Sequence, residues 1–284
     1  MRRISAKPVG VVVLLIWSLG PIYWALASSF MRPTDLTAQP PHFLPPVVTW
    51  QHYANLLGFN STFQGQQVQS VWPQFSRALV NSLVTSGAAT IVTVALAALG
   101  AYAFVRLRFP GRDAIFALVV ATLAIPAYTV MIPLYRLMIV VHLVDTYLGV
   151  TLIYVSAFLP LALWLMRSVY RALPLSLEEA AALDGASRLY TLFRIVIPLS
   201  APGLIASAIL TFLSAWGMFV VPLVFSPTLH TKPLTVLIPE FVTKNYVDYG
   251  LMNAAGLLAI IPPVLVVIFL NRYLVSGLMA GAGK

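Results

Sequence analysis

The sequence contains no cysteine and, for 284 residues, very little charge: 8 acidic and 17 basic side chains, 9% of the chain. Without cysteine there are no disulfides, thiolate metal sites or cysteine nucleophiles. So few charges cannot coat a soluble domain of this length, which leaves an integral membrane protein. Catalytic signatures are missing as well. Neither the His-Glu-x-x-His of a zinc protease nor the Gly-x-Ser-x-Gly of a serine hydrolase occurs. The run "GLMAGAGK" imitates the phosphate-cradling loop of an ATPase, but the interval from Gly277 to Gly283 is one residue too long. His42, His52, His142 and His230 are scattered over external segments and read as surface histidines, not metal ligands. With no paired carboxylates and no nucleophile beside a base, the chain is not expected to be an enzyme, and no cofactor is expected in it.

Ion-driven transporters keep ionisable groups near mid-membrane, where they are costly. Here only Arg136 comes near, toward the outer end of the third apolar run, where it can snorkel to the headgroups. An energy source is therefore expected on another polypeptide.

What the chain has is hydrocarbon: 60% apolar residues and a mean hydropathy of +0.90. Apolar runs near 9–30, 77–105, 114–135, 147–169, 202–225 and 250–271 approach the roughly 20 residues that cross a ~30 Å hydrocarbon core. They predict an all-α integral membrane protein with six transmembrane helices. The first run follows Arg2, Arg3 and Lys7, and its length predicts an uncleaved anchor. With the N-terminus inside, twelve basic residues fall on the cytoplasmic side (Arg2, Arg3, Lys7, Arg106, Arg108, Arg112, Arg167, Arg171, Arg188, Arg194, Arg272, Lys284). Five fall outside (Arg32, Arg77, Arg136, Lys232, Lys244), so both termini are expected to be cytoplasmic. The net charge of +9 is thereby a topology signal, and nucleic acid is not an expected partner.

Between the first two spans, prolines 40, 41, 45 and 46 favour an extended path, and Trp50, Tyr53, Leu56 and Leu57 have the spacing of a short surface helix. The polar, glutamine-rich stretch 58–76 reads as an exposed loop, with a docking surface as the alternative, and Asn60-Ser61-Thr62 fits a sequon by chance. "RLRFPGRD" is an inside turn built on Pro110-Gly111, and 226–249 is a second external loop.

The cytoplasmic stretch "SLEEAAALDGASRLYTLFRIVIPLSAPG" carries three acidic residues, Glu178, Glu179 and Asp184. Ser176 and Glu179 have capping-box spacing, predicting a helix start with its acidic residues at the positive dipole end. Leu177, Ala180, Ala181 and Asp184 share one low-relief side. Gly185 permits a turn; beyond it Leu189, Leu192, Phe193 and Val196 form an apolar stripe, and Pro198 ends the second helix. This is either an amphipathic hairpin resting under the bilayer or a docking element that transmits force.

Glu179-Ala180-Ala181, then Gly185, Ile195, Ile197 and Pro198 at the observed intervals resemble the EAA loop of permease subunits of ABC importers, with Ile197 where that family has Leu. The resemblance narrows to MalG-like, maltose-transporter-type subunits of carbohydrate importers through "NSLVTSGAATIVTVALAALGAYAFVRLRFPGR", "IPLYRLM", "LVDTYLGV" and "RYLVSGLMAGAGK". One departure is Trp216-Gly217-Met218-Phe219, where the family often has Trp-Asn-Glu or Trp-Asn-Asp.

The resemblance implies a type I ABC importer transmembrane fold. Residues 1–76 would hold the N-terminus, first span and long external loop; 77–276 the permease domain with a coupling hairpin at 174–198; and 277–284 a tail. It implies a second MalF-like permease subunit, a cytoplasmic ABC ATPase dimer carrying ATP and Mg, an external solute-binding protein and membrane lipid as partners, in a bacterial or archaeal inner membrane. The ATPase-coupling residues would be Glu178, Glu179, Ala180, Ala181, Asp184, Gly185, Arg188, Ile195 and Pro198, with Gly281–Lys284 also reaching the ATPases. Asn81, Trp216 and Phe219 are candidates for the solute path, aromatic side chains in spans being commonly packing groups. An ATPase-independent channel or membrane scaffold is the alternative function.

Overall fold

A proline or a glycine stands at most of the breaks in the chain's helices. The computed structural model describes residues 6–59, 61–63, 66–68, 70–242 and 248–282, and the side chains of 6–9, 61–63, 66–68, 127 and 271–282 are left undescribed. Arg2, Arg3, Asn60, Lys244, Gly283 and Lys284 therefore lie outside the described residues. The chain divides into two compact units, 1–79 with 234–261, and 80–233 with 262–284.

The first unit contains α1 (Ala6–Ser29), α2 (Pro33–Leu36), α3 (Gln51–Leu56), the strands β1 (Ser61–Phe63) and β2 (Gln66–Val68), the start of α4 (Trp72–Arg106), α13 (Leu234–Leu237) and the start of α14 (Tyr249–Ala282). The short helix expected at Trp50–Leu57 is α3, with Leu56 fully buried. The glutamine-rich stretch is not loop throughout. β1 and β2 pair antiparallel with Ser61 opposite Val68 and Phe63 opposite Gln66. His52 is not the surface residue that its sequence context suggests. It is buried, its Nε2 lies 2.9 Å from the Met31 carbonyl and its Nδ1 3.5 Å from Asp248, and the close passage of Gly250 leaves no space for a Cβ beside the ring. Asp248 in turn accepts from Leu251 N at 2.8 Å and so satisfies a free donor at the start of α14.

The second unit holds most of α4, then α5 (Arg112–Ala121), α6 (Ala127–Val140), α7 (Tyr147–Ala172), α8 (Ser176–Leu183), α9 (Arg188–Thr191), α10 (Ile197–Leu199), α11 (Ala201–Trp216), α12 (Val220–Phe225) and the remainder of α14. Among the described residues, four helices, within α1, α4, α7 and α14, are long and apolar enough to cross a membrane, and counting each of two bent helix pairs as one span gives up to six. The third predicted span is one of these pairs. It breaks by 104° at Ile125–Pro126, because a residue preceding proline is driven out of the α region, and Ile125 sits at φ −79°, ψ 121°. Pro133, in the same apolar run, lies inside α6. The second bent pair is Arg188–Leu199 with Ala201–Trp216, at 75°; within the fifth predicted span, α11 ends at Trp216, and Gly217–Phe219 separate it from α12. At 16 residues α11 is only about 24 Å long, so α12 is needed for a full crossing.

Two clusters hold this unit together. One gathers Ala97, Ala101, Tyr102, Phe116, Leu163, Met166, Tyr170, Leu192 and Val196; the other Ala89, Met138, Val150, Tyr154, Ala215, Val221 and Phe225. Gly203 lets the backbone of α11 come close to α7. A Cβ on Gly203 would stand 2.6 Å from Cγ2 of Val169 on α7. Gly203→Ala is accordingly expected to lower stability by about 1–3 kcal/mol through overpacking, and Val169→Ala in the same chain should restore most of it. Thermal unfolding of the two variants in detergent measures this; no recovery in the double variant would mean the contact is not the cause.

Candidate functional site

The hairpin 173–200 occupies one end of the second unit. α7 stops at Ala172 because Leu173 precedes Pro174 and adopts an extended conformation, φ −78°, ψ 131°. α8 then begins at Ser176, but the predicted capping box does not form. Leu175 holds the cap position with no side-chain bond, its carbonyl accepting from Glu178 N at 2.9 Å and Glu179 N at 3.1 Å. With the cap one residue early, Ser176 already lies inside the first turn and cannot serve as N-cap; the neighbouring Glu178 is held inward, its Oε1 accepting from Arg106 Nε at 2.5 Å and its Oε2 from Tyr102 Oη at 3.1 Å.

Gly185 makes the turn that the sequence assigns it. With φ +82° it follows Asp184, the C-cap, and two bonds close the end of α8: Ala186 N donates to Ala181 O at 2.9 Å and Gly185 N to Ala182 O at 3.1 Å. That is a Schellman closure, which satisfies carbonyls a helix end otherwise leaves free. Ser187 opens the next helix by accepting from Tyr190 N at 3.3 Å, a cap not among the sequence expectations although "GASR" signals it.

The second arm differs from the expected stripe. Leu192–Val196 is a π-turn, whose wider winding displaces the side-chain frame. Leu192 and Val196 are buried among the spans, whereas Leu189 and Phe193 face out. Pro198 does not end the arm. Helix resumes over Ile197–Leu199, and the 75° change of direction comes at Ser200, where α11 begins.

Of the residues assigned to coupling, Glu179, Ala180, Asp184, Gly185, Arg188 and Pro198 are exposed, Glu178 and Ile195 are half-buried and Ala181 is buried. Leu183 at the tip of α8 is 90% exposed, an unusual position for leucine. A cavity of about 230 Å³ opens between the arms, lined by Tyr102, Arg106, Glu178, Glu179, Ala186 and Arg188 among others.

The solute-path candidates are not brought together. Asn81 is fully buried, and its amide is committed within the chain: Nδ2 donates to Leu229 O at 3.1 Å and Lys232 O at 2.9 Å, and Oδ1 accepts from Tyr147 Oη at 2.6 Å. Trp216 is buried and stacked on Phe212, centroids 5.6 Å apart. Phe219 stands at the break between α11 and α12 and is exposed. Near Asn81, Asp145 does related work that sequence reasoning missed. In a left-handed conformation at φ 56°, it accepts from Thr231 Oγ1 at 2.6 Å and from Thr228 Oγ1, and so holds the 226–233 loop. Its signal is the "LVDTYLGV" string, an aspartate in a short turn where αL is tolerated.

Among the described residues, four to six apolar spans and a capped helical hairpin between α7 and α11 make this a multi-pass membrane protein. Residues 93–279 match the family of binding-protein-dependent transport system inner membrane components, and the chain belongs to it. It is 32% identical over 282 residues to the trehalose/maltose transport system permease protein MalG of Thermococcus litoralis, covering 97% of this chain and 95% of that one. To the osmoprotective compounds uptake permease protein GgtD of Synechocystis it is 38% identical over 208 residues, 73% of this chain and 70% of the other. Its fold is that of a chain in the crystal structure of a bacterial ABC transporter involved in the import of the acidic polysaccharide alginate, with TM-score 0.79 and 22% identity over 95% of both chains.

Proposed function

We propose that this permease forms half of the pathway for a sugar or related solute and takes up the work of ATP hydrolysis through the hairpin 176–198. The hairpin then lies in the cytoplasm with both termini, as the basic residues favour, in a bacterial or archaeal inner membrane. A second MalF-like permease completes the pathway. A cytoplasmic ATPase dimer holds ATP and Mg, and an external binding protein delivers the solute. The observation that carries this reading is the combination of a turn closed by backbone bonds with an apolar tip, Leu183, exposed beyond it. A lever needs stiffness and a face to push on, and an apolar face left in water is suited to a partner's groove. Glu179 and Asp184 supply charge at its rim, Ala180 allows close approach, and Gly281–Lys284 add a second contact. The solute class draws support from relatives named for trehalose, maltose and osmoprotective compounds. The exposed ring of Phe219, at the break between α11 and α12, suits the apolar face of a sugar.

Reconstitution tests it directly. Liposomes carrying the chain with its partner subunits, binding protein and ATP should accumulate labelled disaccharide; those carrying the chain alone should show no flux. Flux from the chain alone would replace the importer reading with a channel.

A further inference from the structure

We propose that Arg106 is a positioning residue that locks the hairpin to the ends of two spans, so that a displacement of α8 moves α4 and α7 as one body; this rests on the coupling reading above. Arg106 is the last residue of α4. Its Nε donates to Glu178 on α8 at 2.5 Å, and its Nη2 donates to the carbonyls of Tyr170 and Leu173 at the end of α7, both at 3.1 Å. The residue one turn beyond Tyr170 is Pro174, which has no N–H to give, so that carbonyl keeps only a 3.3 Å bond from Leu173 N within its own chain end. A cation here also meets the negative end of the helix dipole.

The second oxygen of Glu178 is held by Tyr102, one turn earlier than Arg106 on the same face of α4. Three helices thus meet at one guanidinium. The side chains of Arg106 and Glu178 are only 13% and 11% exposed, so the pair is protected from the screening that weakens surface ion pairs. A planar fork bonds in two directions at once, whereas a lysine ammonium at that site would have to choose. The two adjacent glutamates then divide the labour: Glu178 faces inward and fixes the lever, and Glu179 stays outside for a partner.

Because the chain lacks cysteine, a single Leu183→Cys carries a spin label at the hairpin tip without further changes. In the full chain in nanodiscs, Arg106→Ala and Glu178→Gln should each raise the label's mobility, and Arg106→Lys should fall between them and the parent. In the assembled complex Arg106→Ala should lower solute transported per ATP hydrolysed by roughly fivefold, the scale of a typical coupling energy, while hydrolysis continues. A tight label with an unchanged ratio in Arg106→Ala and Glu178→Gln overturns the proposal, as does a lower yield with an unchanged ratio. Gly185→Val separates this failure from that of the coupling reading. If it uncouples the complex while the other two do not, only the role of Arg106 falls; if none uncouples, the coupling site lies elsewhere.

Discussion

Valine at position 185 is expected to reduce solute-stimulated ATP hydrolysis by the assembled complex about tenfold or more, with the amount of chain in the membrane unchanged. Gly185 sits at φ +82°, and a Cβ built there meets no atom within 4 Å, so the whole cost is in the backbone. Holding an L-residue in the left-handed region costs about 1–2 kcal/mol, at the upper end for a β-branched side chain. Since about 1.4 kcal/mol is a factor of ten in an equilibrium, the turn that aims α8 would lose roughly ten- to thirtyfold against competing conformations. The buried contacts of Ala181, Leu192 and Val196 are untouched, which keeps the protein folded. A series separates two causes. If conformation decides, activity follows Gly > Asn > Ala > Val, because asparagine tolerates this region. If a partner's close approach decides, Asn and Ala will be equally damaging. Wild-type assembly and stimulation in Gly185→Val would remove the hairpin from the mechanism.

The largest loss of stability is expected at Asn81. Asn81→Leu removes three hydrogen bonds and strands the carbonyls of Leu229 and Lys232 and the hydroxyl of Tyr147. At about 1 kcal/mol for each bond, the total is about 3 kcal/mol. Tyr147→Phe, which loses one of the three, should cost about 1 kcal/mol. Equilibrium unfolding of the two single variants and the double variant in detergent completes a thermodynamic cycle, in which the double should fall short of the sum because one bond is shared. The solute preference of whatever folded Asn81→Leu remains should match the parent, since the amide already spends both its N–H groups inside the chain. A changed preference with unchanged stability would put Asn81 back on the solute path.

How much of this was legible in the sequence depended on whether the signal was local. Helix existence and the Gly185 turn are written in hydropathy and one residue type, and both were readable. The breaks were harder. Pro126 and Pro133 are the same residue in the same apolar run, yet one stands at the break and the other rides inside the helix. The capping box failed as well. Ser176 and Glu179 had the right spacing, but α8 takes Leu175 as its cap, and the adjacent Glu178 is held by Arg106, more than 70 residues earlier. His52 looked like loop polarity and is buried against Met31 and Asp248, partners distant in sequence. Long-range pairs of this kind leave no periodicity to find.

The π-turn at Leu192–Val196 carries a consequence for how the family's members compare. A π-turn holds one residue more than the α-turn it replaces, and one residue is about 100° of helix phase. Leu189 and Phe193 point outward, and Leu192 and Val196 inward, because of that extra member and not because of their own chemistry. Removing Ile195 would leave every side chain from Arg188 to Phe193 the same and turn the whole arm by a quarter revolution or so, presenting the wrong flank. The outer flank of the arm is thus encoded as a residue count: a chain one residue shorter here would bury the face that this one leaves exposed.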